Sequence, residues 1–149
     1  MGVLLSFVVA AEQLLHRYLV TANGATTQGP AVGFVAGPIG SYLGGVGGTN
    51  SIGLWINSVT GNEVLYKNNV TTSLGNLATF TTPTEVMFEI DIDAGKGWIG
   101  VAGTWVGGGD PVAGTSPTFT FTPNLLSCPV IDMFYSGTVV FVIPPNFVT

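Results

Sequence analysis

Residues 85–121, EVMFEIDIDAGKGWIGVAGTWVGGGDPVAGTSPTFTF, decide the fold of this chain. From residue 85 to residue 93, apolar Val86, Phe88, Ile90 and Ile92 alternate with polar residues, and a period of two is typical of a half-buried strand. Turn residues follow at 93–96, and residues 97–101 have the character of a second strand. The stretch therefore predicts a β-hairpin with a short glycine-containing loop, followed by a polar loop over residues 107–117.

The rest of the chain repeats this pattern of short strands and turn signals. Only residues 10–18 have any helical character. Ser136-Gly137 predicts a turn that joins the last two strands into a terminal hairpin. The pattern favours an all-β antiparallel two-sheet β-sandwich or jelly roll, formed by one domain over residues 1–149. The further strands are predicted at residues 3–10, 14–22, 31–36, 51–57, 63–67, 77–81, 118–122, 128–135 and 138–143.

Charged residues are scarce. They make up 7% of the chain, against about 25% in an average globular domain, and the net charge is −5. The 3 Lys and Arg residues cannot neutralise a run of phosphates, so a nucleic-acid partner is not expected. A surface so poor in charge is poorly protected against association. Together with 46% hydrophobic residues, it indicates a protein that packs against neighbours.

Few residues could bind a metal or a cofactor. The single Cys128 cannot form an internal disulfide and is expected to be a buried, inert thiol. The single His16 has no second histidine for a metal pair, so a histidine on a strand face is expected. The glycines of residues 44–48 lack the Gly-Lys-Ser/Thr of a phosphate loop and indicate a connecting loop. Apolar residues 1–11 lack a basic leader region and are too short to span a bilayer. No metal, cofactor or membrane partner is expected.

A carboxylate series on the central strand allows a catalytic interpretation. The string EIDID, with Glu89, Asp91 and Asp93, resembles the EIDIE strand of jelly-roll β-glucanases. That resemblance implies Glu89 as nucleophile and Asp91 as its helper, with the shorter Asp93 in place of the glutamate acid/base. Residues i and i+4 of a strand are about 13 Å apart, whereas a retaining pair needs about 5–5.5 Å. A solvent-facing strand edge is the preferred interpretation, and no catalytic residue is assigned.

Aromatic and polar residues near predicted loops form a second candidate site. Exposed aromatics beside Asn and Asp are how many β-sandwiches bind glycans or peptides. Aromatics also fill sandwich cores, and Trp98 is expected in the core while Trp105, before a long loop, is expected to be exposed. The candidate ligand-binding residues are Tyr42, Trp55, Asn69, Trp105 and Asp110.

The order of motifs along most of the chain resembles a SPRY domain, in the form found in phage and prophage structural proteins. The chain departs from the family's pattern at Ala102, where asparagine is usual, and at residues 67–69, which lack the turn glycine. The segments that carry the resemblance are YLGG at residues 42–45, SIGLW at 51–55, EVLYKNN at 63–69, FEIDIDAGKGW at 88–98, GTW at 103–105, GDPVAGT at 109–115 and the closing residues 139–147.

The resemblance implies a concanavalin-like β-sandwich without enzymatic activity that acts by contact. It predicts a structural protein of a tailed bacteriophage virion, either a capsid decoration protein or a tail or spike component. The expected partners are other virion proteins and copies of the chain itself. A glycan- or peptide-binding module, such as a host-surface adhesin, is the alternative, and a β-glucanase is a remote one.

Overall fold

Two antiparallel β-sheets face each other in the computed structural model, which describes residues 13–22, 30–36, 51–56, 63–123, 127–132 and 137–142. A short 3-10 helix spans Val106–Gly108. The strands are β1 Gln13–Ala22, β2 Ala31–Ala36, β3 Ser51–Trp55, β4 Glu63–Lys67, β5 Val70–Gly75, β6 Thr84–Asp91, β7 Lys96–Val101, β8 Thr104–Trp105, β9 Phe119–Thr120, β10 Ser127–Asp132 and β11 Gly137–Val142.

The first sheet, sheet A, has the strand order β11-β1-β6-β7-β8, with β9 also paired to β7. The second, sheet B, has the order β10-β2-β3-β4-β5. The predicted all-β antiparallel two-sheet sandwich is confirmed. The strand predicted at residues 3–10, the glycine-rich loop at 37–50 and Tyr42 lie outside the described residues.

The core lies between the two sheets and is built from alternate residues of each strand. Sheet A contributes the buried side chains of β1, β6 and β7, and sheet B those of β2, β3 and β4. The Tyr18 hydroxyl crosses this core and donates a 2.5 Å hydrogen bond to the Gly33 carbonyl of sheet B. The Tyr18 ring also meets Phe88 edge to face at 6.0 Å. Tyr18 therefore ties the two sheets together as well as filling space between them.

The central hairpin forms as predicted from the alternation. Val86, Phe88 and Ile90 are buried in the core, and β6 pairs with β7 from Val86↔Val101 to Asp91↔Lys96. The strand ends at Asp91 and not at Asp93, because the Asp91 Oδ1 accepts the Ala94 N–H at 2.8 Å and starts the turn. Gly95 completes the turn with φ +64°, a conformation that glycine adopts without steric cost.

The predicted terminal hairpin is wrong. β10 pairs with β2 in sheet B, whereas β11 pairs with β1 in sheet A. The chain therefore crosses from one sheet to the other between Asp132 and Gly137. A Ser-Gly turn signal indicates that the chain reverses, but it does not specify the strand with which each arm pairs.

Two further predictions about local structure are wrong. Residues 77–81 are not a strand, although Leu77 and Ala78 pack against the core and Phe80 belongs to it. The strand in this region is β5, which sequence reasoning missed because exposure on both of its faces leaves no alternation. The part of residues 10–18 that the structure describes is strand, without helix, because it pairs with β6 from Gln13 onward.

Candidate functional site

The five candidate ligand-binding residues do not come together. Trp55 lies on the outer face of sheet B, since it alternates with core residues Leu54 and Ile56. Trp105 and Asp110 belong to β8 and to the segment that follows it, on the side of sheet A. Asn69 lies in the turn between β4 and β5. The four described residues therefore occupy opposite sides and one end of the sandwich.

Trp55 is half-buried against Tyr66 of the neighbouring strand. Their rings meet edge to face, with centroids 5.2 Å apart and planes at 77°. This is one of the favourable aromatic geometries, and it fixes both rings on the outer face of sheet B. The structure thus uses part of the Trp55 surface for packing within the sheet.

Asn69 is exposed, and its backbone conformation explains why an asparagine occupies this position. Asn68 and Asn69 have φ values of +48° and +65° in a two-residue turn between the paired Lys67 and Val70. Such turns need positive φ at both positions, which asparagine tolerates better than most residues. The two asparagines thus supply the positive φ values that the turn needs, in place of the turn glycine.

The segment of residues 106–118, here called the outer-face loop, folds back over sheet A. Trp98 lies beneath it, fully buried, and its Nε1 donates to the Thr115 carbonyl at 2.8 Å. A Cβ built on Gly109 would be only 2.7 Å from the Trp98 ring, so glycine permits this close cover. The predicted burial of Trp98 is confirmed, but its side chain packs under a loop and not between the sheets.

The tip of the outer-face loop is a small rigid turn. Asp110 and Thr115 exchange two backbone hydrogen bonds of 3.1 and 3.0 Å, and the Asp110 Oδ1 accepts the Ala113 N–H at 3.0 Å. Lys96 Nζ donates to the Gly114 carbonyl at 3.0 Å and ties the tip to the sheet. The Asp110 carboxylate therefore stabilises the turn, and the tip presents Val112 with 93% of its surface exposed.

Trp105 is half-buried and not freely exposed, which corrects its prediction. A Cβ built on Gly100 would lie 2.9 Å from the Trp105 ring, so the indole covers the space above that glycine. The missing side chain at Gly100 lets Trp105 lie flat on the outer face of sheet A.

The carboxylates of β6 lie on the outer face of sheet A. Glu89 is half-buried in register with Leu15 on one side and Trp98 on the other. Burial raises the pKa of the Glu89 carboxyl, and the charge of Arg17 partly opposes that rise. Arg17 also approaches Glu85, with Nη1 and Oε1 3.6 Å apart. Asp91 caps the turn and Asp93 is exposed within it, so one member of the series has a structural use.

Exposed apolar side chains form contact surfaces that sequence reasoning did not identify. Leu19 and Val140 lie directly opposite each other on the outer face of sheet A and are 38% and 52% exposed. Val70, 64% exposed, begins β5, and Val112 marks the loop tip. Leu19, Val140 and Val112 therefore lie on the outer side of sheet A, and Val70 lies in sheet B. Alternation could have located them only if the covered face of each strand had been known.

The single histidine and the single cysteine lie in different sheets, in β1 and in β10. His16 is half-buried opposite Phe88, and burial lowers the pKa of its imidazole. Cys128 lies in β10. Its side chain is outside the described part of the structure, so its burial stays a prediction. Within the described ranges, no three His, Cys, Asp or Glu side chains group as metal ligands would. In the same ranges, no helix has the length and apolar character needed to cross a membrane.

No protein-family model matches the chain, and no curated protein matches it.

Proposed function

We propose that this chain is a non-enzymatic structural protein of a tailed bacteriophage virion, present in many copies. The observation that carries the proposal is the presence of exposed apolar side chains on both sheets of a protein with 7% charged residues. A subunit of a shell or tube needs contacts in several directions, whereas a single-ligand module needs one patch. The resemblance of the motif series to phage SPRY domains supports the same role.

Burial of apolar area would drive the packing. Covering apolar surface contributes roughly 25 cal/mol per Å² before the costs of association. Leu19 and Val140 already form one continuous apolar patch across two paired strands. The rigid turn that carries Val112 would lose little conformational freedom on contact, so more of the burial energy would appear as affinity.

The lack of enzymatic activity is part of the proposal and has its own support. Asp91 is engaged in capping the β6–β7 turn, and Glu89 lies against its strand neighbours Leu15 and Trp98. Both carboxylates lie on an outer sheet face that the outer-face loop partly covers. A Glu89→Gln variant is expected to show the same lack of β-glucan hydrolysis as the parent chain. Hydrolysis that Glu89→Gln abolishes would instead establish the β-glucanase.

The test of the virion proposal is the protein content of purified particles. Mass spectrometry is expected to find the chain at high copy number, and electron cryomicroscopy is expected to place it in symmetric copies. Hundreds of copies per particle would indicate capsid decoration, and a handful would indicate a tail or spike component. Absence of the chain from purified particles would refute the proposal.

A glycan- or peptide-binding role is the second candidate, because the outer-face loop with its hydrogen-bonded tip directly follows the half-buried Trp105. This role predicts that Trp105→Ala abolishes binding to a glycan array while the circular dichroism spectrum is retained. Trp55→Ala is the matched control, since Trp55 lies on the opposite sheet. Equal array binding by the parent and the Trp105→Ala chain would contradict this role.

A further inference from the structure

The link between β5 and β6, residues 76–83, is attached to the core through a buried carboxyl group. The link forms no strand of its own, yet Phe80 is buried in the core and Leu77 packs against it. The Leu77 N–H donates to Glu63 Oε2 at 2.7 Å, and Glu63 is fully buried at the start of β4. The protonation state of one carboxyl group therefore bears on how the link is held.

None of the chain's 3 Lys and Arg residues forms an ion pair with Glu63. All of them lie in the described part of the structure, and each is engaged elsewhere. Arg17 approaches a carboxylate of sheet A at 3.6 Å. Lys67 and Lys96 each donate through Nζ to a backbone carbonyl outside β4 and the link. An ionised Glu63 would therefore be buried without a lysine or arginine to neutralise it, which disfavours the charged form.

Sheet B and the link bring few other titratable groups toward Glu63. Residues 18–62 and 68–84 contain no Asp, Glu, Lys, Arg or His, so β2, β3, β5 and the link carry none of these side chains. Asp132 lies in β10, which is three strand spacings from β4, or about 14 Å. The remaining titratable side chains of sheet B are Tyr66, Lys67 and Cys128.

Sheet A directs its charged side chains away from sheet B. Arg17, Glu85 and Glu89 alternate with core residues of β1 and β6 and so lie on the outer face. His16 is half-buried opposite Phe88 of β6. Burial, and not a charged neighbour, therefore raises the pKa of the Glu63 carboxyl, and backbone hydrogen bonds only partly oppose that rise.

We propose that Glu63 is a pH-sensitive latch, whose neutral form holds the β5–β6 link on the core and whose ionisation favours local opening of the link. Opening breaks the bond to the Leu77 N–H and admits water to the carboxylate, while the proton passes to solvent. Water then solvates the charge that no lysine or arginine neutralises. Local opening of a short segment without ladder hydrogen bonds requires less free energy than global unfolding.

The direction of the pH dependence follows from proton binding. Burial raises the pKa of Glu63 in the closed form, and in the open form the carboxyl titrates near its ordinary value. Below both pKa values the proton is bound in either form, so opening does not depend on pH. Opening becomes more favourable as the pH rises through the interval between the two values, and it levels off above the closed-form value.

Amide hydrogen exchange of the full chain measures this opening directly. Rates measured from about pH 4 to about pH 8 are divided by the intrinsic rates of an unstructured chain at the same pH. One pKa unit corresponds to a tenfold change in the opening constant, so protection of the Leu77 amide is expected to fall by about threefold or more. Protection that stays constant or rises over this range would overturn the proposal.

Two variants assign the pH dependence to one carboxyl. Glu63→Gln retains an oxygen that accepts the Leu77 N–H and removes the ionisable group, so protection of the Leu77 amide is expected to be independent of pH. Glu85→Gln is the matched control, because it removes a carboxylate from the outer face of sheet A, and it is expected to keep the parent profile. Circular dichroism verifies both folds. A pH dependence that persists in Glu63→Gln, or disappears in Glu85→Gln, would overturn the proposal.

Low concentrations of urea distinguish local opening from global unfolding. Urea favours a transition in proportion to the surface that it exposes. Exchange at Leu77 is therefore expected to respond weakly, whereas exchange at Ile90 in the β6–β7 hairpin is expected to accelerate. Equal acceleration at both amides would show that Glu63 acts on the whole fold and would overturn the latch.

This inference goes beyond the proposed function and does not rest on it. Absence of the chain from virions would leave the latch standing. A link whose exchange is independent of pH would refute the latch and leave the virion role standing.

Discussion

Glu63 offers the sharpest test of how the sandwich is held together. Its side chain is fully buried at the start of β4, and its Oε2 accepts the Leu77 N–H at 2.7 Å. Its Oε1 has no hydrogen-bond partner among the described residues. Burial raises the pKa of this carboxyl, and hydrogen bonds from the backbone only partly oppose the rise. The carboxyl gives the Leu77 N–H an acceptor at a position where no neighbouring strand supplies one.

Two substitutions separate the hydrogen bond of Glu63 from its charge. Glu63→Gln keeps an oxygen that can accept the Leu77 N–H and removes the ionisable group. Glu63→Ala leaves that partly buried donor unsatisfied, and it is expected to lower the free energy of unfolding by about 1–3 kcal/mol relative to the glutamine variant. Urea denaturation followed by tryptophan fluorescence measures both changes.

The pH dependence follows from the direction of the pKa shift. Because the folded state raises the Glu63 pKa, its neutral form stabilises the fold in acid, and this contribution is lost as the pH rises through the folded-state pKa. Glu63→Gln is therefore expected to become more stable relative to the parent chain as the pH increases from about 4 to about 8. A parent-minus-glutamine difference that does not change over this range would refute the reasoning. So would a glutamine variant as unstable as the alanine variant.

Three further substitutions test local features, each by its urea unfolding midpoint. Ala102 has φ +49° in the β7–β8 turn, a conformation that asparagine tolerates better than alanine. Ala102→Asn is therefore expected to raise the free energy of unfolding by about 0.5–1 kcal/mol. An unchanged or lower midpoint would contradict the turn assignment. Trp98→Phe removes the donor to the Thr115 carbonyl and is expected to lower the free energy of unfolding by about 1–3 kcal/mol. It should also speed amide exchange in the outer-face loop, and unchanged exchange would show that the bond does not hold the loop. Gly97→Ala would place a methyl group 2.1 Å from the Phe119 ring. The substitution is expected to lower the free energy of unfolding by about 1–3 kcal/mol. Phe119→Leu in that background should recover part of the loss, and a double variant no better than the single one would argue against this contact.

Local pattern predicted the strands well where one face of a strand is buried. Residues 31–36 and 63–67 match β2 and β4 at both ends, and the β6–β7 hairpin differs from its prediction by two residues at the strand end. In these segments the signal lies in neighbouring residues, as an apolar run bounded by Gly-Pro in β2 and as alternation in β6. The β5 strand escaped prediction because both of its faces meet solvent, so its composition resembles that of a loop.

The candidate site was less predictable than the fold. The sequence indicates that Trp55, Asn69, Trp105 and Asp110 are near strand ends or loops, and each of them is. It does not indicate that Trp55 packs on Tyr66 and lies on the sheet opposite Trp105. The Asp110 side chain also has a role within its own turn that a ligand-centred interpretation overlooks.

The all-β class, the central hairpin and the scarcity of charge were predictable, because they depend on residues close together in the chain or on composition alone. Long-range packing places β10 and β11 in different sheets, Trp98 beneath the outer-face loop and β5 at one end of sheet B among the described strands. These features could not be predicted because strand pairing and burial are set by residues far apart in sequence. A period of two shows that a strand has a covered face, but it does not show which other strand or loop provides the cover.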